Sequence, residues 1–193
     1  MIGGGCHQGK TEHQVWLENH KRLVHRARRE PFIAHNMKKY GKLPIWVAIE
    51  IWDFGSLSRL FAGMKHQDKT QIASQYDFAS GKELQGCLRS LNFIRNVAAH
   101  HSRLWNINVL EIASKPKNNE YWHSLKNNRP FFYYCSMQAM MRVICPNSSW
   151  ALRFEELIKS FPEIAAKTAS LSDFGIVGGW QAWPLWEYES RIK

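Results

Sequence analysis

"GKELQGCLRSLNFIRNVAAHHSRLWN", residues 81–106, decides the fold. Within it Leu84, Cys87, Leu88, Leu91, Ile94, Ala98 and Trp105 follow i, i+3, i+4, i+7 spacing, the period of a helix that buries one face. The spacing predicts the longest helix of the chain, opening after Gly81 and running on to Trp105. Set into that pattern are Arg95, Asn96, the pair His100 and His101, and Arg103. Whether these form a satisfied polar cluster, a metal site or reactive machinery is the functional question.

Flanking segments carry the same helical signature. From Thr11 to Glu30, Trp16, His20, Leu23, Val24 and Ala27 recur at helical spacing, with Glu12 and Glu18 early and Lys21, Arg22, Arg26, Arg28 and Arg29 late, an order that complements the helix dipole. Pro31 suits the first turn of a second helix ending near Gly41, and Leu43-Pro44 opens a third, "PIWVAIEIWDF", apolar nearly all round and therefore expected to be buried. Gly55 is expected to end it, with Ser56 and Asp68 as N-caps of the next two helices. Residues 113–130 are polar, with "SKPKNN" and "KNNRP". The apolar "FFYYCSMQAMMRVI" comes next as a buried helix stopped by Pro146. Ser148 or Ser149 can cap "WALRFEELIKSF", Pro162 can start a short helix, and "GIVGGWQAWPLW" has the composition of an aromatic clasp over the core. Without β alternation or an internal repeat, the expected class is all-α, in a single domain over 1–193.

With 193 residues, 45% of them hydrophobic, the chain can bury one sizeable core. Lys and Arg outnumber Asp and Glu by 26 to 16, a formal charge of +10, which favours a polyanionic partner such as RNA, DNA or an anionic membrane face; a merely soluble basic surface has the same composition. No apolar run reaches the length of a membrane helix, since "FFYYCSMQAMMRVIC" is interrupted by Gln138 and Arg142. The opening "MIGGGCHQGK" lacks a secretory apolar region, and Cys6, Cys87, Cys135 and Cys145 show no CxxC or framework spacing, so a reduced, cytoplasmic protein is expected.

On a helical wheel Arg95 falls about 20° from Leu84, inside the apolar stripe, and His100 projects roughly 140° from Arg95. A buried guanidinium needs a carboxylate, a cleft or an interface, and Glu50 and Asp53 are candidate partners. Asn96 lies one turn before His100, where its amide can fix the imidazole's orientation, and Arg103 stands close by. Such a set supplies what metal-free cleavage of a phosphodiester needs: a group near neutral pKa and cations aimed at the phosphoryl oxygens. In RNA the neighbouring 2′-OH can be the attacking group. From spacing alone, a structural hydrogen-bonded cluster of Arg95, Asn96 and His100 accounts for the same residues. Adjacent histidines on a helix point apart and no HExxH spacing occurs; Cys6 with His7, His13, His20, His25 and His35 matches no zinc spacing either, so no metal or other cofactor is expected. Nor is there a Gly-rich phosphate loop, a GxSxG elbow or a cysteine nucleophile with a positioned base.

"RNVAAHHSRLWN" resembles the signature of the abortive-infection (Abi) phage-defence group that includes AbiD and AbiF, close to RNxxAHHxRLWN. "EPFIAHNMKKYGKLPIWVAIEIWDFGSLSRLFAGM", "VICPNSSWALRFEELIKSFPEIA" and the terminal "WQAWPLW" resemble the family in the same order, so that the likeness runs over about residues 28–187, and residues 1–27 stand outside it. Family members begin with a further helical portion where this chain has "MIGGGCHQGK", which reads as a shortened N-terminus. The family is similar to HEPN-domain proteins, whose R-x4-6-H motif is the catalytic element of metal-independent endoribonucleases. The resemblance therefore implies a HEPN-like helical bundle with additional C-terminal helices. It implies Arg95, Asn96 and His100 as catalytic residues, a homodimer with the motif helices facing each other, and RNA as substrate and regulatory partner. Arg22, Arg26, Arg28, Arg29 and Arg103 are the expected RNA contacts. A non-catalytic RNA-binding module of a defence or toxin-antitoxin system is the competing expectation.

Overall fold

The computed structural model describes residues 9–117, 120–162 and 168–187, all of them helix, turn or loop, with no strand among the described residues. The chain divides into two compact units, Met1–Lys65 and His66–Lys193.

In the first unit, α1 (Glu12–Arg26) begins at a capping box, in which the Thr11 side chain accepts from the Gln14 N–H and the Gln14 side chain accepts from the Thr11 N–H. The helix stops at Arg26 rather than near Glu30, and the arginine-rich end unwinds into a turn before Pro31 starts α2 (Pro31–Tyr40). Gly41, in the left-handed conformation with φ 68°, ends α2 as expected. The third segment departs from expectation. It forms one turn of α-helix, α3 (Ile45–Ala48), then a 3₁₀ turn (Ile49–Ile51), and only Ala48 and Trp52 of it are buried, while Trp46 is 68% exposed. An all-round apolar composition does not bury a segment too short to be enclosed. Asp53, not Ser56, caps α4 (Phe54–Gly63), its Oδ1 accepting from the Ser56 N–H at 2.7 Å, so Gly55 lies inside the helix it was expected to precede.

Leu23, Ala48 and Trp52 form the core of this unit, flanked by Trp16, Leu43, Ile51 and Leu60. α1 and α4 are clamped by polar bonds at its edge. Trp16 Nε1 donates to the Ser56 carbonyl at 3.0 Å, and Asn19 Nδ2 donates to the Ser56 hydroxyl, which itself donates to Asp53. The His20 ring stacks on Trp16, and its Nδ1 accepts from Trp52 Nε1 at 3.0 Å.

In the second unit α5 (His66–Ser74) packs on α6 (Gly81–Ala99), and α6 on α8 (Pro130–Ile144). Asp68 falls in the first turn of α5 rather than at its cap. Ser80 caps α6, accepting from the Glu83 N–H, and Gly81 allows the crossing, because a Cβ there would sit 2.5 Å from Lys69 Cβ. Leu84, Cys87, Ser90, Leu91 and Ile94 make the buried stripe of α6. A short α7 (Tyr121–Ser124) precedes α8, whose Phe131, Phe132, Tyr133 and Cys135 are fully enclosed. After α9 (Trp150–Lys159) and α10 (Leu171–Phe174), the tail brings Trp180 and Trp186 against Phe131 and Phe154, an aromatic clasp as expected. The helix expected from Pro162 lies outside the described residues, as do Cys6 and His7. Among the described residues no helix is long and apolar enough to cross a membrane.

Burial pushes the His20 imidazole below its ordinary 6.5, and the bond from Trp52 requires the unprotonated Nδ1. Because the folded state resists a proton that the unfolded chain takes up near 6.5, stability falls as pH drops below that value toward the lowered one. Urea unfolding followed by tryptophan fluorescence at pH 7.5 and 5.5 should show this loss, and His20→Gln should flatten it. An unchanged pH dependence in the variant would assign the loss to other groups.

Candidate active site

α6 ends at Ala99, earlier than the expected Trp105, and the motif straddles its end. The final turn closes through two bonds: the His101 N–H donates to the Ala98 carbonyl at 3.1 Å, and the Ser102 N–H to Val97 at 3.0 Å. This is the Schellman arrangement, which needs a left-handed residue just past the cap. Here His101 takes that place, with φ 52°, where glycine is the usual occupant. His100 is the cap residue itself, at φ −93°, its N–H donating to the Asn96 carbonyl at 3.0 Å.

Arg95, on the last full turn, is exposed rather than buried in the stripe. The buried face of α6 is centred between Cys87, Leu91 and Ile94, so a residue about 20° beyond Leu84 stands on its rim. Arg95 needs no carboxylate. Its Nη1 donates to Asn96 Oδ1 at 3.0 Å, and both reach solvent on one side of the helix end. The Asn96 side chain was expected to orient the His100 ring, but its oxygen serves Arg95, and the link from 96 to 100 is through the backbone. His100, His101 and Arg103 are all exposed, and the His100 ring makes no hydrogen bond among the described residues.

Beyond the turn the chain is anchored. Trp105, expected on the helix stripe, stacks on Phe161 (ring centroids 4.8 Å apart) and on Phe174, and Arg129 Nη1 donates to the Asn106 carbonyl at 2.8 Å. On α6 itself Arg89 pairs with Glu111 at 2.6 Å. Sequence reasoning missed both the left-handed His101 and the structural role of Trp105. No sequence signal marked the first, since Trp105 continues the apolar period past Ala98 and histidine holds the place where glycine would have pointed to a helix end.

The arginines expected to contact RNA belong to different units. Arg22, Arg26, Arg28 and Arg29 are exposed in the first, Arg22 donating to Asn19 at 2.6 Å and Arg28 to the His25 carbonyl at 3.0 Å, whereas Arg103 lies in the second. A cavity of about 320 Å³ in the second unit is lined by Tyr121, Trp122, Arg142 and Leu185 among others, and none of Arg95, Asn96 or His100 lines it. No group of three or more His, Cys, Asp or Glu residues is placed to hold a metal among the described residues. Burial pushes the Cys87 thiol up to about 12 and the Cys135 thiol up as well, which leaves neither as a nucleophile at neutral pH.

In this all-α chain the solvent-facing Arg95 and Asn96 and the exposed His100 are grouped at one helix end, outside the cavity lined by Tyr121 and Trp122. Comparison gives the family. The family model of Abi-like proteins matches residues 5–106, a little over half of the chain, and the chain belongs to that family, which places it among abortive-infection phage-defence proteins. The match ends on Asn106, the last residue of the motif, and it begins well upstream of residue 28, so that α1 falls inside the family's span rather than outside it as expected. No curated protein and no solved structure matches the chain.

Relieving the left-handed histidine should stabilise the protein. An L-residue in that conformation costs about 1–2 kcal/mol, part of which is offset by the greater freedom of glycine in the unfolded chain, so His101→Gly should gain on the order of 0.5–1 kcal/mol in denaturant unfolding. A loss of stability would show that the His101 side chain makes a contact worth more than the strain.

Proposed function

We propose that the protein is a metal-independent endoribonuclease of HEPN type, with Arg95, Asn96 and His100 as its catalytic residues. The observation that carries this reading is the joint exposure of Arg95 and His100 at one helix end, within the segment that matches the Abi-like family. His100 would take the proton of a ribose 2′-OH as that oxygen attacks phosphorus, then return it to the departing 5′-oxygen as the P–O5′ bond breaks. The products are a 2′,3′-cyclic phosphate and a 5′-hydroxyl. Arg95, held by Asn96, offsets the charge that gathers on the phosphoryl oxygens. Arg22, Arg26, Arg28, Arg29 and Arg103 contact phosphates, and the cytoplasm is the setting in which host or phage RNA is met.

The second reading is a non-catalytic RNA-binding module of a defence or toxin-antitoxin system. It is favoured by the His100 ring, which has no hydrogen-bonded group to orient it among the described residues. A catalytic imidazole ordinarily has one.

Incubation with total RNA in EDTA, with end-group analysis of the fragments, separates the two. Cleavage that persists in EDTA and leaves cyclic phosphate ends is expected, and His100→Ala should lower its rate by about 10² to 10⁴ while leaving RNA affinity in place. Salt-dependent RNA binding without any fragment would establish the second reading instead.

The reading carries a homodimer, each copy presenting its α6. Light scattering should report about twice the 22.6 kDa chain mass. A monomer at micromolar concentration that still cleaves RNA would remove the dimer from the mechanism.

A further inference from the structure

Among the described residues only three Phe, Tyr or Trp side chains are exposed, and all three fall between positions 32 and 46: Phe32 at 42%, Tyr40 at 53% and Trp46 at 68%. The other described rings of these types are buried or half-buried. The same stretch is strongly basic. Positions 26–49 contain Arg26, Arg28, Arg29, Lys38, Lys39 and Lys42 against a single carboxylate, Glu30, and every one of these cations is exposed. Lys39 holds its ammonium 5.0 Å from the Tyr40 ring centroid, so cation and π surface stand side by side.

We infer that α2, α3 and the turn between them form a stacking platform for unpaired bases of single-stranded RNA, with Tyr40 and Trp46 as the stacking rings and Lys38, Lys39 and Lys42 as phosphate contacts. The inference rests on the RNA partner of the functional reading and adds to it which form of RNA is taken, and where. Exposed rings beside cations are how proteins hold single strands, because every base has a π face and every nucleotide a phosphate. A-form duplex RNA keeps its bases stacked inside and offers a flat ring nothing comparable. A protein partner fits less well, since the cores of protein interfaces are depleted in lysine, whereas here three lysines stand within four residues of Tyr40 or Trp46. The platform lies in the first unit, and Arg95 and His100 in the second, so strand capture and chemistry are assigned to different parts of the chain.

The test uses the full chain and a fluorescein-labelled 2′-O-methyl oligouridylate, which lacks the attacking hydroxyl, beside a 2′-O-methyl duplex of the same length, both read by anisotropy across a salt series. Tyr40→Leu with Trp46→Leu keeps apolar bulk and removes the rings, and should lower single-strand affinity by about ten- to a hundredfold while leaving duplex affinity and the salt slope unchanged. Tyr40→Phe with Trp46→Phe should retain most of the affinity. Lys38→Gln, Lys39→Gln and Lys42→Gln together should reduce the slope of log affinity against log salt by about two. If the leucine pair binds the single strand as tightly as the parent, the platform is overturned and the RNA reading survives. If the parent binds neither RNA at low salt, both fall. If the leucine pair instead turns a dimer into a monomer and weakens single strand and duplex alike, this face is a contact between copies and the inference is wrong.

Discussion

In the second unit, the chain past the motif depends on the two backbone hydrogen bonds that close α6, from His101 to Ala98 and from Ser102 to Val97. A helix leaves its last carbonyls without partners, and this closure satisfies two of them while reversing the chain. The reversal delivers Trp105 to its stack with Phe161 and Phe174, and brings the Asn106 carbonyl to Arg129. A helix continued to Trp105 would carry that ring about 9 Å further along the axis than Ala99. The motif "RNVAAHHSRLWN" is thus half surface chemistry and half anchor. Its first residues reach solvent while Trp105 and Asn106 tie the turn to the aromatic core.

The helical class, the buried stripe of α6, and the starts near Thr11 and at Pro31 were legible because each rests on local physics, side-chain period and the fixed φ of proline, whereas Pro130, expected in the polar connection, opens α8. Three features were not legible. The end of α6 depends on a left-handed residue, and histidine gives no such signal where glycine would. The exposure of Arg95 depends on where the centre of the buried face lies, which a comparison with Leu84 alone misplaces. Asp53 took the cap expected of Ser56 because Ser56 is needed elsewhere, buried and bonded to both Asn19 and Asp53. Of the candidate site, the residue types and their grouping were readable, and the partner of Asn96 was not.

Aromatic residues show how composition misleads without placement. Of the nine tryptophans, Trp122, Trp180 and Trp186 are buried in the second unit, and Trp52 is buried in the first with Trp16 packed beside it. From sequence, Trp46 in "PIWVAIEIWDF" is expected to be buried like Trp52, since the segment is apolar nearly all round. A single helical turn continued by a 3₁₀ turn presents side chains in all directions, and of this segment only Ala48 and Trp52, four apart, are buried in the core, with Ile51 packed at its edge. Trp46 is left in solvent, where a large apolar ring is informative because it costs more to expose than to bury.

The two neighbouring histidines carry different constraints, and the difference divides the motif's chemistry from its architecture. His101 is held by its backbone, in a conformation that lets the helix end, and its imidazole is incidental to that task. His100 is held by the ordinary geometry of a cap, with its ring unengaged among the described residues. On an ideal helix the Cα atoms of residues five apart stand about 9 Å from each other, on different sides of the axis. On the proposed reading the long Arg95 guanidinium and the His100 imidazole span that gap to reach one phosphate, which two short side chains at the same spacing could not do. His100 sits at the cap, where the following residue leaves the helix, and its ring is exposed. A left-handed residue at 101 keeps that position clear.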